Sequence, residues 1–232
     1  MGICTLTKMI SVIIPTLNEA STLENCLKSV GTRSDFEKIV VDGGSYDSTL
    51  EIAQNYDCLV LVTEPSRARQ MNLGALRASG EILVFLHADT ILPDKWSEVV
   101  LEILREDRVV CGAFALSISE NLRGLYLIEL ASNFRSRVLN MPYGDQAFFL
   151  YKQSFNMIGG FPDQPIMEDF EFIRKLGKQG KIRISALSVK TSGRRWKKLG
   201  LLRTTLINQI VIAAYYLGFS PNKLRKLYDK WA

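Results

Sequence analysis

Short β-rich runs alternate with helical patterns through the first half of the chain, and this alternation constrains the fold more than any other feature. The runs that we predict as strands cover residues 10–14, 38–41, 59–62 and 81–86. Helical patterns fill the intervals between them, as in βαβ units, where successive strands pair in parallel. We therefore predict an α/β fold with a mostly parallel central sheet.

Three predicted helices begin at residues that commonly cap helices. Ser21 with Glu24 and Ser48 with Glu51 each match the capping box, in which two side chains bond the free amides of the first turn. Ser66 is the expected cap of the third helix. A further helix is predicted to start at Pro93 and Asp94 and to run through about residue 105.

The second half of the chain has a mixed pattern. We predict strands over residues 111–118 and 148–151, and helices over residues 122–138 and 168–178. An apolar helical stretch over 199–217 is broken by polar residues, so it is predicted to lie on a surface rather than to cross a bilayer. One domain over residues 9–198, in two halves of 9–118 and 119–198, is therefore expected. Residues 199–232 form a helical C-terminal extension packed on or beside it.

The composition of the chain indicates its cellular compartment and the classes of partner that it suits. The 232 residues are 47% hydrophobic, which is enough for one domain, and the net charge of +5 suits an anionic ligand or a membrane surface without selecting either. Four cysteines without a C-x-x-C pair indicate a reducing compartment and no disulfide framework. No signal peptide is evident, so we expect a cytoplasmic protein, with peripheral contact at the inner face of the membrane as a further expectation.

Polar segments follow the predicted strands of the first half. They cover residues 15–19, 42–49, 67–72 and 87–89. Each segment alone is explained equally well as ordinary turn or capping chemistry. Ligands of open parallel sheets bind beyond the carboxyl ends of the strands, so four such segments at one edge predict a binding site there.

The order of these motifs resembles the family-2 glycosyltransferases of the GT-A fold. The resemblance rests on ISVIIPTLNE at residues 10–19, on VVDGGSYDST at residues 40–49 and on a strand that leads to Asp89, and it covers nearly the whole chain. The segments PYGDQ at 142–146, MED at 167–169 and SGRRW at 192–196 further resemble a subgroup of small bacterial transferases, some of them labelled as arsenosugar-pathway enzymes.

The resemblance implies a single Rossmann-like domain that moves a hexose from a nucleotide diphosphate sugar, preferably of uridine, to a hydroxyl acceptor with inversion. Residues 9–118 would bind the nucleotide and residues 119–198 the acceptor. Asp42 would accept a hydrogen bond from the base, Glu19 would bind the ribose or base edge, and Arg67 or Arg69 would lie near the diphosphate. The expected nucleotide-binding residues are Pro15, Thr16, Asn18, Glu19, Asp42, Gly44, Ser45, Arg67, Arg69, Asn72 and Ala88. Asn72 is equally well explained as a polar residue of a helix.

His87-Ala88-Asp89 occupies the place of the Asp-x-Asp metal motif of the resembled family. Residues two apart at the end of an extended strand face the same way, so both can address one Mn²⁺ or Mg²⁺ ion. Because a histidine replaces the first carboxylate, Asp89 is the expected ligand. His87 is either a second ligand or a hydrogen-bonded residue that orders Asp89. We expect manganese to serve at least as well as magnesium, and acidification through about pH 6.5 to weaken metal binding if His87 ligates.

The pair Glu168-Asp169 matches the position of the catalytic base in the resembled family. Asp169 would take the acceptor proton, and Glu168 would be its neighbour on the acceptor side. Two acids at a helix start are also favoured by the helix dipole, which is the competing explanation. The residues expected at the acceptor or in a lid are Gly144, Asp145, Gln146, Arg194, Arg195 and Trp196. For residues 194–196, a basic surface is the alternative to a lid over the diphosphate.

Two other functional classes are alternatives to a glycosyltransferase. A nucleotidyltransferase would place a glycine-rich, basic loop after the first strand, and residues 16–21 contain neither glycine nor a cation. A non-catalytic protein that binds nucleotide sugars or docks on membranes is the second alternative. Asp89, Glu168 and Asp169 favour an enzyme.

The C-terminal segment carries a prediction of its own. Cations precede an apolar pattern at near-helical spacing, so we expect contact with a membrane or an anionic acceptor, against the alternative that this helix packs on the domain. The apolar positions are Leu199, Leu202, Leu206, Ile207, Ile210, Val211 and Ala214. Nucleic acid is not an expected partner, because the basic cluster is local and contains a single aromatic residue.

Overall fold

An eight-stranded mixed sheet crosses the protein, as seen in a computed structural model that describes residues 9–120 and 124–231. The strands are β1 (Ile10–Thr16), β2 (Phe36–Asp42), β3 (Leu59–Val62), β4 (Ile82–Phe85), β5 (Thr90–Ile91), β6 (Val109–Ile118), β7 (Phe148–Tyr151) and β8 (Lys181–Thr191). Their order in the sheet is β3-β2-β1-β4-β7-β6-β8-β5. The first half is parallel from β3 to β4, as predicted. In the second half β7 runs antiparallel to both β4 and β6, while β6 and β8 are parallel.

Helices cover both faces of the sheet. They are α1 (Ala20–Val30), α2 (Thr49–Gln54), α3 (Arg67–Arg77), α4 (Trp96–Leu104), α5 (Leu125–Val138), α6 (Lys152–Met157), α7 (Glu168–Leu176), α8 (Arg194–Leu199), α9 (Leu201–Tyr216) and α10 (Pro221–Trp231). Alternate side chains of one strand point to opposite faces, so β1 sends Val12 into the cluster with α1 and α4, and Ile13 into the cluster with α3 and α7. These two cores hold the strand ends rigidly in place.

Local details differ from the sequence predictions at several helix starts. Helix α1 begins at Ala20, so Ser21 lies inside it, and neither α1 nor α2 has a side-chain hydrogen bond from its cap residue. Both predicted capping boxes are therefore wrong. Asp47 instead accepts from the Thr49 N–H at 3.0 Å at the start of α2. The predicted cap of α3 is confirmed, since the Ser66 hydroxyl accepts from the Arg69 N–H.

Other boundaries shift by a few residues. Helix α4 begins at Trp96, three residues after Pro93. The predicted helix over 122–138 is observed from Leu125, and residues 122 and 123 lie outside the described part of the chain. Strands β5 and β8 and helix α6 were not predicted. Strand β4 ends at Phe85, so His87 and Asp89 follow the strand rather than end it, and the face-sharing argument from strand geometry does not apply to them.

The C-terminal helices pack on the domain next to α7. Ile207 and Val211 of α9 are buried against Met167 and Phe170, and Tyr228 of α10 lies at the same cluster. Within the described ranges, no helix combines the length and the apolar character needed to span a membrane. The three described cysteines, Cys26, Cys58 and Cys111, are free thiols.

Candidate functional site

Two adjoining cavities open beyond the carboxyl ends of β1 and β4. The larger one has a volume of about 660 Å³ and the smaller one about 300 Å³. The residues that line both are Arg67, His87, Asp89, Ile166, Glu168 and Tyr228. A molecule in one cavity therefore lies beside a molecule in the other, with the shared side chains at the junction.

The larger cavity contains the predicted loop residues that follow β1 and β4. Six of the residues expected to bind the nucleotide line it: Pro15, Thr16, Glu19, Arg67, Arg69 and Ala88. Gln70 also lines it, and its amide donates 2.8 Å hydrogen bonds to the carbonyls of Thr16 and Val41. This side chain ties the ends of β1 and β2 to α3, and thereby fixes the floor of the cavity.

Asp42, the predicted ligand of the base, is bonded to its own loop in this structure. Its side chain is fully buried, and it accepts hydrogen bonds from Thr16 Oγ1 at 3.0 Å, from the Gly44 N–H at 2.8 Å and from both the N–H and the hydroxyl of Ser45 at 2.7 and 2.5 Å. A carboxylate with four donors from neighbouring loop residues organises that loop. Asp42 does not line either cavity in this structure.

Three other expected nucleotide contacts also serve the loops or the packing. Asn18 has a φ of 56°, its N–H donates to Ser45 Oγ at 2.8 Å, and its side-chain oxygen accepts from the Tyr46 N–H. Asn72 exchanges two hydrogen bonds with the backbone of Phe161, at 2.8 and 2.9 Å, which joins α3 to the turn before α7. Neither these residues nor Gly44 lines either of the two cavities.

Arg194 is paired with two carboxylates that line the larger cavity. Its Nη2 atom lies 2.7 Å from Glu19 Oε2 and 3.2 Å from Asp89 Oδ2. The guanidinium thus neutralises the carboxylate that is the predicted metal ligand. The first residue of α8 thus contacts two residues that line the larger cavity, and its role in a lid stays a prediction.

The donor set at residues 87–89 suits a cation that is shared with a diphosphate. Burial and the nearby Arg67 guanidinium lower the pKa of His87 to about 4, which keeps the imidazole neutral and able to ligate at neutral pH. Among the described residues, no group of three or more histidines, cysteines or carboxylates is arranged to hold a metal ion. Asp89 and His87 would therefore supply at most two ligands, and the diphosphate and water the rest.

Of the predicted catalytic pair, Glu168 lies at the junction of the cavities and Asp169 lies beside it in the smaller one. Glu168 is buried and lies 3.3 Å from Arg67, and burial raises the pKa of its carboxyl group although Arg67 opposes this. Asp169 lines only the smaller cavity, where its carboxylate accepts from the N–H groups of Gly144 at 3.0 Å and Phe170 at 2.7 Å. These two bonds hold the carboxylate still and leave further lone pairs for a ligand.

Gly144 permits a close approach between the two halves of the site. A Cβ atom at this position would lie 2.9 Å from His87 Nε2 and 3.5 Å from Asp169 Oδ2. A side chain here would therefore push the imidazole out of place, while its Cβ atom would make ordinary van der Waals contact with the carboxylate.

The smaller cavity contains polar atoms that have no hydrogen-bond partner among the residues that the structure describes. Buried atoms of this kind are Oδ1 of Asp145, Nε and Nη2 of Arg195, and Nε1 of Trp196. Burial raises the pKa of Asp145 to about 6. Gln146, in contrast, bonds the Phe114 carbonyl at 2.9 Å and Ser136 at 3.2 Å, so it supports the wall rather than facing a ligand. Unpaired buried groups are costly, and they are typical of sites that bind polar ligands.

Helix α10 contributes residues that the sequence pattern did not indicate. Asn222, Arg225 and Tyr228 line the larger cavity, and the Arg195 guanidinium stacks over the Tyr228 ring at 4.0 Å. No motif surrounds these residues, so only the packing of α10 against α7 and α9 identifies them. The signal available in the sequence was the amphipathic pattern of residues 221–231.

The family model described as Glycosyl transferase family 2 matches residues 11–161 of the chain. A curated relative, glycosyltransferase AglE of Haloferax volcanii, is 38% identical over 100 residues, which are 38% of this chain and 33% of that protein. The matched part of the chain thus spans about a third of the length of this relative.

Solved structures share the fold at low sequence identity. The mannosyltransferase PcManGT from Pyrobaculum calidifontis, in complex with GDP-Man and Mn²⁺, has a TM-score of 0.66 and 20% identity over 97% of this chain and 69% of that one. TarS 1–349 of S. aureus in complex with UDP has a TM-score of 0.63 and 19% identity over 79% of this chain and 60% of that one. Both are glycosyltransferases of the GT-A fold, and the predicted fold class is confirmed.

Proposed function

The chain belongs to glycosyl transferase family 2, and on this basis we propose that it moves a sugar from a uridine diphosphate sugar to a hydroxyl group of an acceptor, with inversion at the anomeric carbon. The observation that carries the proposal is the meeting of two cavities at Arg67, His87, Asp89 and Glu168. The larger cavity takes the nucleotide sugar, and the smaller one takes the acceptor.

The nucleotide half of the site is preorganised by its own loops. The Asp42 network and the Gln70 amide fix the backbone on which Pro15, Thr16 and Glu19 lie. A rigid loop loses little conformational entropy on binding, which favours affinity for the nucleoside. The uridine preference is supported by the TarS complex with UDP, while PcManGT was solved with GDP-Man, so both nucleotides need to be compared.

Asp169 is proposed as the general base. As the acceptor oxygen forms its bond to the anomeric carbon, the hydroxyl proton passes to the Asp169 carboxylate, and the bond between the sugar and the diphosphate breaks on the opposite face. The Gly144 and Phe170 amides hold the carboxylate in one orientation during this step. Arg67 lies at the junction, where its charge stabilises the leaving diphosphate.

Asp89, with His87, is proposed to hold a divalent cation, Mn²⁺ or Mg²⁺, together with the diphosphate. When bound, such a cation neutralises the charge that develops on the leaving group. Arg194, which pairs with Asp89 in this structure, would give up this contact to the cation and would then be free to pair with the diphosphate. The arsenosugar-pathway subgroup and the cytoplasmic location stay predictions.

The walls of the smaller cavity support an acceptor with an apolar body. Met167, Phe170, Trp196, Val211 and Ile212 line it beside the polar atoms of Asp145 and Arg195. An apolar body would fill the space between α7 and α9, and its hydroxyl group would point toward Asp169.

Replacing the proposed base tests the assignment. Asp169→Asn is expected to lower the rate of sugar transfer by about 10²–10⁴-fold, because the hydroxyl proton loses its acceptor. The affinity for UDP should stay near that of the wild type by calorimetry, and UDP should bind more tightly than GDP. The matched control is Glu171→Gln, on the same helix, whose carboxylate pairs with Arg174 and Tyr215 outside both cavities. Unchanged transfer by Asp169→Asn would refute the role of this residue as the base.

A further inference from the structure

Helix α5 presents its polar side chains to the protein. Glu129 accepts from the Ile118 N–H at 2.5 Å, and Asn133 exchanges two hydrogen bonds with the backbone of Leu116, at 2.8 and 2.9 Å. Ser136 is buried and accepts from a neighbouring glutamine side chain. The helix therefore attaches to β6 through these hydrogen bonds as well as through the apolar contacts of Leu125 and Ile128.

The outward face of α5 is apolar along its whole length. Its exposed large side chains are Tyr126, Leu127, Leu130, Phe134 and Val138. They follow helical spacing, and Phe134, near the centre, is 67% exposed. Arg137 is the one charged residue among the exposed positions of α5. A contiguous apolar face of this kind indicates a surface that is covered by something else.

Helix α9 continues this apolar surface. Its inward residues Ile207 and Val211 pack on the domain, as the competing sequence explanation required, while Leu202 and Leu206 point outward, Leu202 at 84% exposure. The first turns of α5 and α9 meet where Leu125, Ile128 and Leu201 share one apolar cluster with Trp196 of α8. We refer to the outward residues of α5 and α9, with the adjoining cations of residues 197–203, as the docking face.

The positive charge of the chain is concentrated in the C-terminal helices, of which α8 and α9 contribute to this face. Residues 194–231 contain nine of the 29 lysines and arginines but only one of the 24 acidic residues, so this segment has a net charge of +8 and the rest of the chain one of −3. Lys197, Lys198 and Arg203 are exposed within it. A second copy of this chain would bring the same positive segment to the interface, which disfavours self-association there. An anionic bilayer offers both an apolar interior for the side chains and negative charge for the cations.

We propose that the docking face binds to the surface of an anionic lipid bilayer. Tyr126 and Phe134 enter the interfacial region, and Lys197 and Lys198 contact lipid phosphates. The inner side of α9 lines the smaller cavity through Thr204 and Asn208, so docking would bring that cavity next to the bilayer. This inference does not depend on the proposed reaction, because it rests on exposure and charge outside both cavities.

Sedimentation of the full chain with vesicles tests the proposal. One set of vesicles contains phosphatidylcholine alone and the other equal parts of phosphatidylcholine and phosphatidylglycerol. The wild type should sediment with the anionic vesicles at low salt and be released at high salt. Phe134→Glu and the pair Lys197→Glu with Lys198→Glu should each weaken this binding by about tenfold, since each removes apolar insertion or charge attraction.

The matched control is Leu76→Glu, which changes a leucine that is 73% exposed on α3, a helix that packs on β1 and β2. This variant should bind anionic vesicles as the wild type does, and thermal melting should show all variants folded. The proposal is overturned if the wild type stays in the supernatant with both vesicle types, or if Phe134→Glu binds as well as Leu76→Glu. A dimer in size-exclusion chromatography that Phe134→Glu dissociates, without vesicle binding, would instead assign the face to a second copy.

Discussion

The guanidinium of Arg194 lies 3.2 Å from the Asp89 carboxylate, and the same nitrogen lies 2.7 Å from Glu19. The negative charge of Asp89, the predicted metal ligand, is thus neutralised by a residue of α8. If Asp89 holds a divalent cation, as proposed, the cation and Arg194 would compete for this carboxylate, because both cannot occupy the same side of it.

Arg194→Ala should therefore strengthen Mn²⁺ binding to the protein alone. The expected gain is about twofold to fivefold, since the competing ion pair is partly exposed. Electron paramagnetic resonance of free Mn²⁺ measures this without any turnover, and Lys197→Ala on the same helix is the control. Sugar transfer should fall in Arg194→Ala, because the guanidinium group would no longer stabilise the negative charge of the leaving diphosphate. Equal or weaker Mn²⁺ affinity would exclude the competition.

The hydrogen bonds between Asp42 and its own loop predict a different effect of substitution from the one expected for a residue in direct contact with the base. Asp42→Asn should lower the free energy of unfolding by about 2 kcal/mol, because two of the four donors then face an amide nitrogen. The affinity for UDP should fall in parallel, as the loop loses its fixed shape. Urea unfolding and calorimetry of the same samples check this. If the residue instead touched the base, UDP affinity would fall while the unfolding free energy stayed unchanged.

Sequence patterns predicted the first half of the fold well, because its strands are short, apolar and locally bounded. Strands β3 and β7 were predicted with the observed limits, and the loops after β1 and β4 do line the larger cavity. The mixed second half was harder to predict. The placement of β7 between β4 and β6 depends on long-range pairing that no local pattern encodes.

The candidate site shows the same division. A carboxylate after a strand looks alike in sequence whether it faces a cavity, as Asp89 does, or its own loop amides, as Asp42 does. The contribution of Tyr228 could not be predicted, since it depends on how α10 packs. Periodicity identifies the apolar face of α5, but it does not reveal that this face points away from the protein.

The pH dependence expected for His87 changes with its environment. Its pKa is lowered to about 4, so the imidazole stays neutral and metal binding should not weaken as the pH falls through 6.5. The His87 imidazole takes up a proton near pH 6.5 in the unfolded chain, but only near pH 4 in the folded chain. The free energy of unfolding should therefore fall as the pH drops from 6.5 to 4, by up to about 3 kcal/mol.

Urea unfolding between pH 4 and pH 7 measures this slope for the wild type and for His87→Asn. The variant should lose the part of the slope that belongs to the imidazole. Parallel curves for the two proteins would show that His87 is not buried in its neutral form.

Asp145 is expected to destabilise the fold at neutral pH. Burial raises the pKa of its carboxyl group to about 6 from an ordinary value of 3.8, and its Oδ1 atom has no hydrogen-bond partner. A raised pKa means that the folded chain holds the proton more tightly, so stability is lost as the pH rises from about 4 to about 6. Asp145→Asn should therefore raise the free energy of unfolding at pH 7.5 by about 1–3 kcal/mol, and the gain should vanish near pH 4.

Sugar transfer should fall in the same variant, because the acceptor loses a polar contact in the smaller cavity. Asp163→Asn, whose carboxylate forms an exposed pair with Arg69, is the control and should change stability by less than about 0.5 kcal/mol. Asp145→Asn would contradict this assignment in either of two cases. Its free energy of unfolding at pH 7.5 would be no higher than that of the wild type, or its gain in that free energy would persist at pH 4. Either result would show that Asp145 is not an unpaired buried charge that binds the acceptor.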